Sequence, residues 1–274
     1  MLPPLDRGLP INTPRIQGWL ARFGNYHSPV TRHAIEDWVD QFANHDQDLS
    51  ARILDSVLFI NPVAIQQAYQ QLLLGAPGWN IDPQQRPGQW YFVPFSGSAG
   101  ESGDSMLHSF RMANGLTHRR FNNLFIHRSD IPTKTLTEDD TVILVDDFSG
   151  TGTQACTSWE EIFKELFIGS PRIILFLVVA TYRAIARITE ETEMLVHCNR
   201  ILHDQDNIFH ADCTFFNEAE KTRILHYCRR ADNAHPRGFG NSGLLIVFAH
   251  RSPNNSIPIL HNNRPNWSAL FPRL

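Results

Sequence analysis

The segment Thr141–Gln154 constrains the fold of this chain more than any other part of its sequence. Its first residues, 141–145, form an apolar run typical of a strand that a parallel sheet covers on both faces. Two acids, Asp146 and Asp147, follow, and then a loop of small residues, 149–153, leads into a helical pattern. In an open α/β sheet, ligands bind just beyond the carboxyl ends of the strands. The segment therefore predicts a ligand site at that edge of a parallel sheet.

The loop and the acid pair together fit a ribose 5-phosphate. Backbone N–H groups at the start of a helix favour a phosphate, and the loop hydroxyls can add donors. The two carboxylates can accept hydrogen bonds from the 2- and 3-hydroxyls, directly or through a hydrated Mg²⁺. We expect the backbone of Gly152 to lie against the phosphate, so that a β-carbon there would block the ligand. The alternative is an acid pair that caps a helix and binds nothing. The predicted phosphoribosyl-binding residues are Asp146, Asp147, Ser149, Gly150, Thr151, Gly152 and Thr153, and the same acid pair is the predicted metal site.

Patterns on either side of this segment predict an α/β domain preceded by helices. Residues 1–30 indicate an extended arm with a short helix around Trp19, and 31–74 have a helical period that includes Val57 and Leu58. The proline- and glycine-rich stretch 75–88 then marks a boundary, so we predict a helical module over 1–80 and the α/β domain over 81–274. The predicted strands are 90–95, 141–145, 173–180, 194–197 and 244–248, and the predicted helices beyond the boundary are 106–113, 155–167 and 218–230.

The acid-pair segment resembles the signature of the type I phosphoribosyltransferases. That signature is an apolar strand, two acids, three variable residues, Thr-Gly, and usually a Thr two places after the Gly. Asp146 and Asp147 match the acids, and Thr151-Gly152 matches the Thr-Gly. Gln154 departs from the usual Thr, and Gly150 stands where several purine-specific members carry an acidic general base. The resemblance implies a type I phosphoribosyltransferase-like parallel sheet flanked by helices, and binding of phosphoribosyl pyrophosphate, but it does not imply purine transfer.

The same resemblance implies a pyrophosphate site made of two further segments. Type I enzymes bind pyrophosphate on a loop after an earlier strand, and the loop 96–105 is placed for that role, with Arg111 behind it; a flexible surface loop is the alternative. A cationic flap is expected within 117–134, where Arg119 and Arg120 suit catalysis at a leaving phosphate. A solvated face, or a contact with nucleic acid or a partner, is the alternative there. The predicted pyrophosphate-loop residues are Ser96, Gly97, Ser98, Gly100, Ser102 and Gly103.

A second resemblance runs from about residue 36 to the last residue. The helical start with Trp38, the loop 97–103, the stretch 240–258 and the closing stretch 267–273 resemble, in this order, a bacterial phosphoribosyltransferase-like family of conflict, or defence, operons. Members of that family are inferred to act as toxins or effectors, some in retron-type antiviral systems. The resemblance implies a partner-controlled effector that is toxic when released. It also implies a protein or nucleoprotein partner from the same operon, and it leaves a homo-oligomer open.

Composition narrows the function classes. The formal net charge of −4 provides no overall basic field for nucleic acid. The four cysteines form no C-x-x-C pair, and the first residues lack a signal-peptide pattern, so we expect a cytoplasmic protein without a membrane partner. Three functions remain open: a phosphoribosyl-cleaving or -transferring effector, a nucleobase-salvage enzyme, and a sensor that binds phosphoribosyl pyrophosphate without turnover.

Overall fold

The predicted acid-pair strand lies in a four-stranded parallel sheet, whose strands are, in order, Trp90–Pro94, Thr141–Ser149, Arg172–Thr181 and Leu195–Leu202. The structure is a computed structural model, and it describes residues 11–96 and 103–273. The contacts of the described residues divide the chain into two compact units: unit 1, Met1–Pro62 with His203–Leu274, and unit 2, Val63–Leu202. Among the described helices, none is long and apolar enough to cross a membrane.

Unit 2 contains the sheet and the helices that cover it. Its strands pair in parallel throughout, with Val93 opposite Leu144 and Leu144 opposite Leu175. Successive residues of each strand face opposite sides of the sheet, as the strand period of two requires. The expected parallel sheet flanked by helices is confirmed. The bounds are β2 Trp90–Pro94, α5 Gly103–Ala113, β3 Thr141–Ser149, α6 Thr153–Ser158, β4 Arg172–Thr181, α7 Tyr182–Glu191 and β5 Leu195–Leu202, and α4, Pro62–Leu74, precedes them.

Each face of this sheet has its own packed layer. On one face, Val142 and Leu144 pack with Trp159 and Phe163, which belong to a π-helical turn, Trp159–Phe163, that continues α6. On the other face, the ring of Phe110 in α5 lies 6.2 Å from that of Phe176 in β4. Burying large apolar side chains on both faces fixes which strand residues point up or down. Because the strands are parallel, their carboxyl ends lie at one edge of the sheet.

Unit 1 joins two stretches that lie far apart in the sequence. The short strand β1, Leu58–Ile60, pairs in parallel with β6, Ile246–Phe248. The indole N–H groups of Trp38 and Trp267 both donate to the carbonyl of Ile259, at 2.8 and 2.9 Å. Two aromatic residues distant in sequence therefore share one buried acceptor. The helices of this unit are α1 Thr13–Phe23, α2 Arg32–Val39, α3 Gln47–Ser56, α8 Glu218–Ala231 and α9 Pro258–His261.

Two sequence expectations differ from this arrangement. The helical period that was continued through Leu58 ends at Ser56, because the following three residues pair with β6 instead of adding a helical turn. Contacts group residues 1–62 with 203–274, and the domain boundary expected near residue 80 stays a prediction. The strand expected at 244–248 is shorter, and its partner is β1. Long-range pairing of this kind leaves no periodic signal in the local sequence.

Candidate functional site

Strand β3 extends beyond its neighbour β2, and the acid pair lies on this extension. The pairing of β2 with β3 ends where Pro94 faces Val145, while the pairing of β3 with β4 continues through Asp146 opposite Leu177. The strand was expected to end at 145 and instead runs to Ser149. Both acids therefore belong to the strand itself, where β3 still pairs with β4 but no longer with β2.

The two acids have different surroundings. Asp146 is buried, and its Oδ1 accepts hydrogen bonds from Ser96 Oγ at 3.3 Å and from the Asp147 N–H at 3.0 Å. The Tyr69 hydroxyl donates to the backbone carbonyl of Asp146 at 3.1 Å. Burial, and then the charge of Asp147, raise the pKa of Asp146 well above its usual range. Asp147 is only half-buried, so the pair combines a carboxyl that favours its proton with a more accessible one.

A divalent cation suits this pair by donor type and by charge. Mg²⁺ usually takes one or two protein carboxylates and completes its shell with water and substrate phosphates. Asp146 and Asp147 supply such oxygens, and a cation would offset the burial and repulsion that now favour a protonated Asp146. In the described ranges, 11–96 and 103–273, His, Cys, Asp and Glu side chains form no cluster of three or more that could hold a metal alone. The residues fit an ion that arrives with its ligand.

The loop after β3 is fixed by contacts with α7. The Thr181 hydroxyl donates to the carbonyl of Gly150 at 2.7 Å. Gly152 has φ +74°, and a β-carbon there would lie 3.1 Å from the carbonyl oxygen of Ala184. The need for glycine at 152 therefore comes from backbone conformation and helix packing. The expectation that the backbone of Gly152 also lies against a phosphate stays a prediction.

The hydroxyls of this loop are joined to a residue that sequence reasoning missed. Thr151 Oγ1 donates to Thr153 Oγ1 at 3.0 Å, and Arg187 Nη1 donates to the same Thr153 oxygen at 2.8 Å. Arg187 Nε also donates to Glu191 at 2.9 Å, one helical turn further along α7. Arg187 lies 34 residues from Thr153, so no local pattern joins them. The parallel pairing of β3 with β4 could have suggested it, because the helix after β4 begins beside the loop after β3.

The predicted pyrophosphate loop is only partly within the described residues. Ser96 lies beside the acid pair through its bond to Asp146. Gly103 begins α5 so close to the Ser96 carbonyl that a β-carbon would be 1.7 Å from that oxygen, which explains glycine at this position. The two residues flanking the loop thus meet next to Asp146. The remaining predicted residues lie outside the described ranges: Gly97, Ser98, Gly100 and Ser102.

The arginines of the predicted flap are exposed on a 3₁₀ turn, Arg119–Leu124. The Arg120 guanidinium lies 4.5 Å from the centre of the Phe121 ring. Arg111 donates to the Leu116 carbonyl at 3.0 Å and to Asn122 at 2.6 Å, which ties α5 to this turn. The contacts of Arg120 and Arg111 are local, and the role of Arg119 and Arg120 at a leaving phosphate stays a prediction.

Comparisons with known proteins agree with the acid-pair motif. The model of the family described as PRTase-CE matches residues 35–273. The search of curated proteins found no match. Among solved structures, the AQ2163 protein from Aquifex aeolicus is similar, with 14% sequence identity and a TM-score of 0.30 over 71% of this chain and 87% of that chain. The last likeness is too distant to carry an argument about this site.

Proposed function

The chain belongs to the PRTase-CE family and is a phosphoribosyltransferase-like protein, and from that premise we propose that it binds a 5-phosphorylated ribose and acts at the anomeric carbon. The simplest ligand is phosphoribosyl pyrophosphate with Mg²⁺; a related ribose-5-phosphate nucleotide has the same chemistry. One observation carries the proposal: Asp146 and Asp147 are neighbours on the part of β3 that extends beyond β2, and the hydroxyl-lined loop 149–153 follows directly. A single continuous segment can hold both ends of a phosphorylated ribose.

Each part of the segment has a task in this proposal. Asp147, the more accessible acid, accepts from the ribose 2- and 3-hydroxyls, and the loop hydroxyls donate to the 5-phosphate. Asp146 and Asp147 would hold Mg²⁺, which would supply positive charge close to the ribose hydroxyls and to a pyrophosphate leaving group. Ser96, bonded to Asp146, orients that carboxyl. Because charged hydrogen bonds contribute about 1.5–3 kcal/mol each, the acid pair dominates recognition.

The reaction breaks the bond between the anomeric carbon and its leaving group, and the leaving group departs with the electron pair. Positive charge then develops on the ribose ring, and the nearby carboxylates stabilise it. Water or another acceptor forms the new bond and loses a proton. Gly150, which stands where purine-specific enzymes carry a base, has no side chain, and its carbonyl accepts from Thr181. This favours cleavage of an activated bond, or transfer to an unusual acceptor, over nucleobase salvage.

We further propose that the cell uses this activity as an effector in antiviral defence. The support is the resemblance to the proteins of conflict operons, some of which belong to retron-type systems. Consumption of a central ribose metabolite harms the cell that carries it, so such an enzyme needs a partner that keeps it silent. A protein or nucleoprotein from the same operon has that role in the proposal.

The test combines chemistry and growth. The purified chain is incubated with phosphoribosyl pyrophosphate and Mg²⁺, and ³¹P spectra follow release of pyrophosphate; bacteria expressing the chain, with and without its operon neighbours, are followed for growth and nucleotide pools. We expect release, and toxicity that a neighbour relieves, both absent in an Asp146→Asn/Asp147→Asn variant. Conversion of adenine, guanine or hypoxanthine to its nucleotide would establish salvage instead. Tight binding without turnover would establish a sensor.

A further inference from the structure

We propose that Arg187 binds the 5-phosphate of the ligand. Before the ligand binds, Glu191 holds the Arg187 guanidinium beside the loop 149–153, and the phosphate then replaces the Glu191 carboxylate. The inference rests on the proposed function and deepens it, since it names the group that selects phosphorylated over unphosphorylated ribose. Neither residue belongs to the acid-pair motif. Both lie on α7, which follows the next strand of the sheet.

The first support is the position of Arg187. Its Nη1 lies 2.8 Å from Thr153 Oγ1, and Thr153 is the first residue of the helix that begins at the loop. Because the Arg187 guanidinium contacts Thr153, it can reach an anion bound in the loop 149–153 by a change of side-chain conformation alone. Because a guanidinium is planar and always charged, it matches two oxygens of a phosphate at once.

The second support comes from counting hydrogen-bond donors and acceptors at Thr153. A hydroxyl oxygen can accept two hydrogen bonds and donate one. Thr153 Oγ1 accepts from Arg187 and from Thr151 Oγ1, so its own proton is directed away from both. Arg187 thereby also orients a neutral donor of the loop. A phosphate in the loop would receive hydrogen bonds from Thr153 and from the remaining N–H groups of Arg187.

The third support is a gap in the motif itself. Gln154 stands where the resembled signature usually has a threonine, and Gln154 is exposed. One phosphate-binding hydroxyl is therefore missing from the position where it is expected. A cation that reaches the loop from α7 offsets this loss, and a cation distinguishes a phosphate dianion from a sugar hydroxyl more sharply than a threonine does.

Glu191 makes the arginine available and also restrains it. The Arg187 and Glu191 side chains are 40% and 46% exposed and pair at 2.9 Å across one helical turn. Solvent-exposed pairs of this spacing are weak because water screens them. A phosphate, with more charge and better geometry, can therefore replace the Glu191 carboxylate. Until it arrives, the pair holds the guanidinium against Thr153 and not in open solvent.

Calorimetric titration with ribose 5-phosphate, with ribose, and with phosphoribosyl pyrophosphate plus Mg²⁺ tests the inference. We expect Arg187→Gln to lower the affinity for both phosphorylated ligands about tenfold or more, since a charged hydrogen bond is lost. Arg187→Lys should keep the dependence of affinity on salt but recover only part of the affinity, because a lysine has no planar fork. Glu191→Gln should raise affinity, up to about fivefold, because the competing carboxylate is gone.

The pair Lys164–Glu160 is a matched control, because it has the same helical spacing, lies in the same unit and is exposed at both ends. Lys164→Gln and Glu160→Gln should change affinity less than twofold, roughly the scale of a screened exposed charge. Unchanged affinity of a folded Arg187→Gln variant would overturn the role of Arg187, and lower affinity of Glu191→Gln would overturn the competition between Glu191 and the phosphate; both results leave the proposed function intact. Failure of the unaltered chain to bind any phosphorylated ribose would overturn the proposed function itself. If Arg187→Gln does not fold, Arg187→Lys and Glu191→Gln decide the question in its place.

Discussion

Unit 1 and unit 2 differ in how much of each comes from one continuous stretch of the sequence. Unit 2 is one continuous stretch, and β2, β3, β4 and β5 lie in the sheet in the order in which they follow one another. Unit 1 combines two separate stretches, and its strands β1 and β6 lie on different ones. The candidate site belongs to the continuous unit. The comparison shows that a site can be inferred from a short segment when the surrounding sheet is assembled from consecutive strands.

The largest expected effect tests whether aromatic contacts hold the separate stretches of unit 1 together. Trp38 is fully buried, and it shares the Ile259 carbonyl with Trp267. Trp38→Ala should lower the free energy of unfolding by about 3–5 kcal/mol, the usual cost of removing a large buried aromatic. Trp38→Phe, which keeps a ring but removes the indole donor, should cost about 1 kcal/mol. Chemical denaturation measures both.

Hydrogen exchange extends this test to each unit. In Trp38→Ala, amides of α2, α8 and α9 should lose protection, while those of β3 and β4 keep it, because the lost contacts all belong to unit 1. Equal loss of protection in β3 would contradict the distinction between the two units.

The second prediction concerns the acid pair in unit 2. Asp146→Asn/Asp147→Asn should lower the affinity for phosphoribosyl pyrophosphate with Mg²⁺ at least tenfold, since charged hydrogen bonds are worth about 1.5–3 kcal/mol each. The variant should remain folded, because an amide at 146 removes the cost of burying a charge. Calorimetric titration measures the affinity, and circular dichroism checks the fold. A folded double variant with normal affinity would remove the basis of the site.

The third prediction separates backbone strain from packing at Gly152. Gly152→Ala combines a left-handed φ of +74° with an approach to the Ala184 carbonyl, whereas Gly115 has φ +65° and open space around its Cβ position. We expect Gly152→Ala to cost about 1–3 kcal/mol and Gly115→Ala about 1 kcal/mol or less. Thermal denaturation without ligand compares them. Equal costs would mean that α7 yields and that packing against Ala184 does not require a glycine at 152.

The smallest expected effect is a difference between the two units in how their stability depends on pH. Burial lowers the pKa of His261 in unit 1 to about 4, so the stability due to its neutral form is present above pH 6.5 and lost as pH falls toward 4. Asp146 in unit 2 has a raised pKa, so its stability contribution is present below its unfolded pKa and lost as pH rises through the folded one. Each effect amounts to at most about 1.4 kcal/mol per pH unit.

The two opposed responses can be separated by substitution. Urea denaturation between pH 5 and 7 should show that His261→Gln weakens the loss of stability in acid. Asp146→Asn should be more stable than the unaltered chain at pH 7, and that advantage should shrink at pH 5. Parallel pH curves for all three proteins would show that neither group sets the response.

The sequence predicted the elements whose pattern is local. The strand 141–145 and the loop behind it were recognisable because an apolar run, two acids and small residues follow one another without a gap. The start of α4 at Pro62 agrees with the local sequence, since proline suits the first helical turn. The strand 173–180 is confirmed as β4, with one more residue at each end.

The rest depended on contacts that no short segment contains. Leu58 continued a helical pattern and became a strand because Ile246 pairs with it. Arg187 carried no motif, and its place beside Thr153 follows only once β3 and β4 are aligned. Asp146 and Asp147 looked equivalent in the sequence, but Asp146 is buried and accepts hydrogen bonds from Ser96 and Tyr69, whereas Asp147 is half-buried. Local patterns define elements, whereas the environment of each side chain depends on the assembled sheet.

The carbonyl shared by Trp38 and Trp267 has a consequence for how the protein is made. Trp38 and Ile259 lie 221 residues apart, and a ribosome adding about 5–20 residues per second needs roughly 10–45 s to cover that distance. During that interval the helix of Trp38 has emerged without the acceptor for its indole, while the strands of unit 2 can already pair. During synthesis, Trp38 therefore lacks the acceptor that it has in the folded protein. A nascent chain stopped near residue 202 would contain all four strands of the unit 2 sheet. Its first helices would still lack the residues 203–274 against which they pack in unit 1.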